Sequence, residues 1–244
     1  MARPPLLPGQ PPELVVLDEP EACSYLPGRT ARRPLRMPVR ALSPDELDQR
    51  LAAGDRRTGP FLYTQRCPSC HACIPLRVDA PAFTANRTQR RVARATRAEL
   101  TVEVGPRELD EEHLALFDRH ERERGLRTRE GDADADGYAR AFLESCADGF
   151  EVRFRRQARL AAVALVDRGA TALSAVYTYW DPSLAALSPG VFSILTQIEL
   201  CRRLGLRWLY LGLWIAENRS MRYKAAYLPH ERLEGGVWRR YERD

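Results

Sequence analysis

Lysine is almost missing from this chain: of its 38 basic residues, every one except Lys224 is arginine. So complete a bias reflects genome composition acting wherever arginine can take lysine's place. Arginine stays charged at any biological pH, whereas an ammonium can give up its proton or act as a compact point charge. The surviving lysine is therefore a candidate for work that arginine cannot do, against the alternative of one surface lysine left by chance. Long apolar runs are also missing. No stretch reaches the roughly 20 residues that a membrane span needs. The opening MARPPLLPGQPPEL holds five prolines and lacks the apolar region of a secretory signal. With both excluded, and with cysteines clustered in a chain far larger than disulfide-stapled domains, the expected setting is the reducing cytoplasm, where cysteines are thiols or ligands. None of the four histidines pairs recognisably with a cysteine, which argues against a cysteine hydrolase.

What is present is a soluble, globular composition, 44% hydrophobic and 29% charged over 244 residues, enough for one large or two small domains. The net charge of +5, with a pI near 9.0, is mild, so its distribution matters more than its total. Residues 1–20 read as a disordered proline-rich tail. Pro27-Gly28 closes a turn that begins at Cys23. Ser43, Pro44 and Glu46 spell a capping box for a short helix with Leu47 and Leu51 on its apolar face and Gly54 at its end. Phe61–Thr64 reads as a strand running into the cysteines.

Asn86, with Gln89 three residues later, predicts a second helix on which Arg87, Arg90, Arg91 and Arg94 share one face, followed by Arg97. Stacked arginines repel, so this face calls for an anionic partner; the plainer reading is a solvated face paired with acids elsewhere. A strand over Thr101–Val104 leads to a helix from Asp110 to about Glu123, with Leu114 and Phe117 on its buried side and Gly125 as its stop. Asp132–Gly137 resembles a calcium loop but carries Leu143 where a bidentate glutamate is required, so an acidic solvated loop leading into a helix over Tyr138–Leu143 is expected. Strands over Val152–Arg156, Leu160–Val166 and Leu173–Tyr179 form an antiparallel meander. A helix after Ser188-Pro189-Gly190, a buried strand from Trp208 to Gly212 and a helix from Met221 to Tyr227 complete an α+β order.

Cys67, Cys70 and Cys73 can face one ion, with Cys23 closing a tetrahedral set for Zn²⁺ or an iron–sulfur centre. Buried thiols without metal are the alternative, and a redox pair lacks its usual βαβ setting. Cys146 and Cys201 fall on helical faces and read as core.

Taken together the segments CSYLPGRTA (23–31), CPSCHACIPLRV (67–78), RTQRRV (87–92), LSAVY (173–177), Asp181-Pro182, GVFSIL (190–195), YLGLWI (210–215) and MRYK (221–224) resemble, in order, the bacterial aminoacyl-tRNA–protein transferases. Within that family they are most similar to the aspartate/glutamate leucyltransferase branch. Departures fall at Leu213, Ala216 and Ser220, where the pattern has an aromatic, a glutamate and a lysine. The resemblance implies a GNAT-like acyltransferase fold in two related units, over 21–100 and 101–235. It also implies transfer of leucine from leucyl-tRNA to the α-amine of proteins beginning with Asp or Glu, marking them for N-degron degradation, with arginyl-tRNA as the alternative donor. No cofactor is required for such a transfer. Lys224 and Tyr223 are the expected catalytic residues, at the terminal adenosine or the developing oxyanion. Arg77, with Tyr25 nearby, is expected to hold the acidic side chain; Tyr177, Tyr179 and Trp214 to line the substrate pocket; and Arg87, Arg90, Arg91 and Arg94 to meet tRNA phosphates. An N-acetyltransferase would need a pyrophosphate loop that Ser188–Phe192 lacks, and a non-catalytic zinc-knuckle RNA-binding module would leave the later motifs unexplained.

Overall fold

The computed structural model describes residues 6–7, 11–127 and 131–242. The first part of the described chain builds a small antiparallel sheet from β1 (Leu6–Leu7), β2 (Glu13–Leu17), β5 (Leu35–Pro38), β6 (Arg56–Thr58) and β7 (Phe61–Tyr63), in the order β1-β2-β5-β7-β6. A separate ribbon of β3 (Pro20–Ala22) and β4 (Thr30–Arg32) carries Cys23 in its turn. Between β5 and β6 stands α1 (Pro44–Ala52), which closes its capping box as the sequence predicts: Glu46 N–H donates to Ser43 Oγ and Ser43 N–H to the Glu46 carboxylate. Such a cap contributes about 1 kcal/mol. The disordered tail expected over 1–20 is corrected where the chain is described. Glu13 is buried, with Arg36 at 2.9 Å and Arg50 at 2.7 Å, so ion pairs to distant residues pin β2 in place. The rest of that expectation, 1–5 and 8–10, lies outside the described residues.

The larger sheet is eight-stranded. In chain order it comprises β8 (Ile74–Asp79), β9 (Thr101–Gly105), β10 (Gly149–Arg156), β11 (Arg159–Arg168), β12 (Ala172–Trp180), β13 (Trp208–Trp214), β14 (His230–Glu234) and β15 (Val237–Tyr241), and across the sheet β15-β14-β8-β13-β12-β11-β10-β9. Every neighbouring pair is antiparallel except β12 and β13. Helices cover both faces. Strand alternation sends Ala162, Ala164 and Val166 to one face with Phe192 and Ile198 of α5 (Pro189–Arg203), and Val163 and Leu165 to the other with Leu116 and Phe117 of α3 (Glu111–Glu123). α2 (Arg87–Arg97) lies over α5, and α1 packs Leu47 and Leu51 against Tyr210 and Leu62. Asp134 caps α4 (Ala135–Tyr138), which runs into a π turn at Ala139–Leu143, so the acidic loop leads into a helix as expected.

The architecture is the expected α+β, but the expected border at residue 100 does not separate the two sheets and instead cuts through the larger one. β8, from the first segment, sits between β13 and β14 from the second. The strand meander from β10 to β12 falls where the sequence puts it, each strand extended by two or three residues. The β14–β15 hairpin was not read from the sequence, although Gly235-Gly236, both at positive φ, is a two-residue hairpin turn signal.

Candidate active site

β12 and β13 pair only from Ala172–Ser174 to Trp208–Tyr210 and then part. Arg56 of β6, from the small sheet, enters where they separate. Its Nη2 donates to Ala175 O at 3.1 Å, and Nη1 reaches Ser174 Oγ at 3.5 Å. Gly212, at φ +78°, makes the room: a Cβ there would stand 2.8 Å from the guanidinium carbon. The next residue, Arg57, points the opposite way by strand alternation and pairs with buried Asp167 at 2.8 Å.

One residue beyond Gly212, the carbonyl of Leu213 receives a hydrogen bond from Lys224 Nζ at 2.8 Å, and Met221 Sδ accepts a second at 3.2 Å. Met221 lies on α6 (Arg219–Arg222), and Lys224 on the 3-10 turn Tyr223–Ala226 that continues it. Among the described residues no carboxylate pairs with Lys224. Burial, and then the charge of Arg56, pull its pKa down to about 7. A neutral amine has two hydrogens and a lone pair. Leu213 O and Met221 Sδ take the hydrogens, which leaves the lone pair to accept a proton.

Asn218 ties this segment to the cysteine turn. Its side chain caps α6 by accepting from Ser220 N–H, while its Nδ2 donates to Tyr25 O at 2.9 Å. Burial raises the Tyr25 pKa, with Tyr63 adding to it and Arg56 opposing. Cys23, Cys67, Cys70 and Cys73 are half-buried free thiols. Burial pushes the Cys73 thiol up to about 12, and Cys23, Cys67 and Cys70 add to the shift, so the four are electrostatic neighbours. Leu26 N–H donates to Cys23 Sγ at 3.4 Å. The four are a gathered donor set and not a closed one: among the described residues no three His, Cys, Asp or Glu side chains stand as a metal-holding group. Thiols are the donor type that suits a soft metal ion. Cys146 and Cys201 are core, as expected.

The other expected residues fall in different places. Arg77 is already occupied: Nε and Nη2 donate to Glu231 Oε2 at 2.9 and 2.7 Å, Nη1 donates to Tyr210 OH, and Trp208 and Trp238 lie 3.9 and 4.2 Å from its guanidinium. It ties β8 to β13 and β14 and has no fork left for an incoming acid. Tyr179 is fully buried, its hydroxyl 2.6 Å from Tyr138 OH, and so belongs to the core and not to a pocket. Half-buried Tyr177 stacks on Phe142 at 5.3 Å, and burial raises its hydroxyl to about 12. Arg124 acts on both Tyr177 and Tyr223. Trp214 donates Nε1–H to Arg222 O at 3.2 Å and props α6.

On α2, Asn86 and Gln89 close the expected capping box, and the faces divide cleanly. Gln89 and Thr96 are buried while Arg87, Arg90, Arg91, Arg94 and Arg97 are exposed. Arg97 pairs with Glu199 at 2.8 Å, whereas Arg87, Arg91 and Arg94 have no acidic partner among the described residues. Sequence reasoning missed Arg56, Met221 and Asn218. The signal for Arg56 was a glycine-bounded run, Gly54-Asp55-Arg56-Arg57-Thr58-Gly59, in which one of two adjacent arginines must face away from the other.

Comparison with known proteins bears on the whole arrangement. The family model for the N terminus of arginine-tRNA-protein transferase matches residues 21–91, and the model for its C terminus matches residues 112–234. The chain is 41% identical over 219 residues to the aspartate/glutamate leucyltransferase of Chromobacterium violaceum, covering 90% of each chain. It is also 41% identical to the protein of that name from Thiobacillus denitrificans, covering 90% of this chain and 91% of the relative. Among solved structures it is similar to L-PGS from Bacillus licheniformis, at 13% identity and a TM-score of 0.48 over 69% of this chain and 58% of that one. Matched at both ends and along nine-tenths of its length, the chain belongs to the arginine-tRNA-protein transferase family.

Proposed function

We propose that this protein moves leucine from leucyl-tRNA to the α-amine of proteins that begin with Asp or Glu. The observation that carries the reading is the 41% identity along 90% of the chain to proteins named for that activity. The chemistry needs no activation step, because the donor ester is already reactive; it needs a neutral amine, alignment and a place for negative charge. In this reading Lys224 takes one proton from the acceptor's α-ammonium, whose pKa of about 7.7 to 8.0 lies close to that of Lys224. The freed amine attacks the ester carbonyl. The carbon–oxygen bond to the ribose then breaks, the second amine proton passes to the leaving ribose oxygen, and an amide remains. Tyr223, 42% exposed and next to Lys224 in the chain, is the second candidate for this chemistry. The bare arginines of α2 serve the acceptor arm of the tRNA, where phosphate contacts give affinity without sequence.

The reaction is expected to take place in the cytoplasm. Among the described residues no helix is long and apolar enough to cross a membrane. The four thiols are proposed to hold Zn²⁺ or an iron–sulfur centre that would lock the Tyr25 turn against the loop from Cys67 to Cys73, with no part in bond making. An arginyl donor is the second reading, favoured by the name of the family whose models match. Incubating the protein with charged leucyl- or arginyl-tRNA and an Asp-initiated peptide, then weighing the peptide, tests both. A gain of one leucine is expected; no gain with either tRNA overturns the transferase reading.

A further inference from the structure

Resting on the transferase reading above, we propose that Arg56 recognises the side-chain carboxylate of the acceptor's N-terminal Asp or Glu. Its surroundings set it apart from the buried and part-buried arginines that pair with carboxylates, and from Arg232, whose guanidinium lies over the rings of Trp214 and Tyr241. Arg36 meets Glu13, Arg57 and Arg107 share Asp167, and Arg77 meets Glu231. Among the described residues Arg56 meets only neutral acceptors, the carbonyl of Ala175 and the hydroxyl of Ser174. A guanidinium carries five N–H donors, and these two bonds leave most of them without an acceptor. A part-buried guanidinium in this condition has donors to offer an incoming anion, and its planar fork matches a carboxylate.

Position supplies the second argument. The guanidinium rests on Gly212, and the next residue, Leu213, holds Lys224 Nζ by its carbonyl. In an N-terminal Asp or Glu the α-nitrogen and the side-chain carboxylate are only a few bonds apart. A carboxylate held at Arg56 therefore brings the α-amine toward Lys224, the group that deprotonates it.

The walls of this subsite fit the same ligand. Tyr63 is the cross-strand partner of Arg56, so their side chains leave the small sheet on one face. Tyr25 lies within electrostatic reach of Arg56, Tyr63 and Arg33. Phenol hydroxyls donate to a carboxylate as readily as they accept, and Arg33, paired with Glu21 at 2.5 Å, adds no unmet positive charge. An N-terminal Asn or Gln in the same place leaves the guanidinium uncompensated, and an N-terminal Lys or Arg is repelled.

The test compares leucine transfer to four peptides that differ only in their first residue, Asp, Glu, Asn or Gln, by the wild-type enzyme, Arg56→Gln, Arg56→Lys and Arg77→Gln. For Arg56→Gln, kcat/KM on the Asp and Glu peptides is expected to fall about 100-fold, toward the level of the Asn and Gln peptides, with KM for leucyl-tRNA unchanged. Arg56→Lys, a point charge without the fork, is expected to lose about tenfold of the Asp-over-Asn preference, and it decides the matter if the glutamine variant does not fold. Arg77→Gln is expected to keep the wild-type preference. An unchanged preference in the Arg56 variants overturns the proposal. So does an equal fall on all four peptides with a raised KM for leucyl-tRNA, which assigns the guanidinium to the tRNA. A wild-type enzyme that transfers nothing overturns the transferase reading and this assignment together, whereas the variant results on an active wild type bear on Arg56 alone.

Discussion

Lys224 and Leu213 are joined by a hydrogen bond from an ε-amine to a strand carbonyl, 2.8 Å long, in a setting where no carboxylate among the described residues meets the amine. Burial first, and Arg56 second, bring the Lys224 pKa to about 7. The amine is then neutral above that pH and charged below it. The acid limb of kcat/KM for leucine transfer is expected near pH 7, activity being lost as pH falls through the Lys224 pKa. Lys224→Arg and Lys224→Met should both lower kcat by about 10²- to 10⁴-fold, since neither supplies a proton acceptor. A Lys224→Arg enzyme with wild-type turnover would remove the base from the mechanism and leave only a role in charge.

Linkage gives the same residue a second signature. Its folded pKa lies below the unfolded value of 10.5, so the unfolded chain binds the extra proton between about pH 7 and 10.5. The Lys224 contribution to stability therefore improves as pH rises through that window. Urea midpoints of wild type and Lys224→Met should converge toward high pH; midpoints with a constant separation would contradict the depressed pKa.

His113 behaves in the opposite sense. It is fully buried, with Nδ1 2.7 Å from Asp110 and Nε2 3.0 Å from buried Glu151. Burial pulls its pKa down, but the bonds to Glu151 and Asp110 outweigh burial and the net shift is upward. A raised folded pKa contributes stability that is fully present below the unfolded value of about 6.5 and lost as pH rises through the folded one. His113→Gln should cost about 1–3 kcal/mol at pH 6, and less at higher pH. Denaturant melts across that range measure the difference, and a cost that grows with pH would reverse the assignment.

The α2 arginines predict a salt effect. Replacing Arg87, Arg90, Arg91 and Arg94 with glutamine should weaken tRNA binding and flatten the slope of log affinity against log salt by about three units, leaving kcat at saturating tRNA nearly unchanged. Filter binding at several salt concentrations reads the slope; an unaltered slope would return this face to the solvent.

The thiols predict a composition. Protein purified without oxygen is expected to carry close to one zinc ion or one iron–sulfur cluster per chain, and Cys70→Ser or Cys73→Ser should lose it. Elemental analysis and the visible spectrum distinguish the two, and metal-free protein with full transfer activity would count against both.

What could be read from the sequence was local. The capping boxes at Ser43 and Asn86 are written within four residues, and the strands from Gly149 to Trp180 alternate legibly between turn signals. The site depended on encounters that no local pattern records. Arg77 looked free because Glu231, Trp208 and Trp238 reach it from distant strands, and Arg56 looked ordinary because Ser174, Ala175 and Gly212 lie far along the chain. Tyr177 and Tyr179 shared a strand parity, which correctly put them on one face, but parity does not say whether that face is a pocket or a core.

The central position of β8 carries a consequence for how the protein is made. During synthesis this strand leaves the ribosome well before β13 and β14, the two neighbours that complete its ladder. The first third of the chain must therefore wait, with Leu76 and Val78 uncovered, until residues beyond His230 have been translated. The two family-matched segments, produced as separate polypeptides, are expected to recover activity only when mixed during refolding.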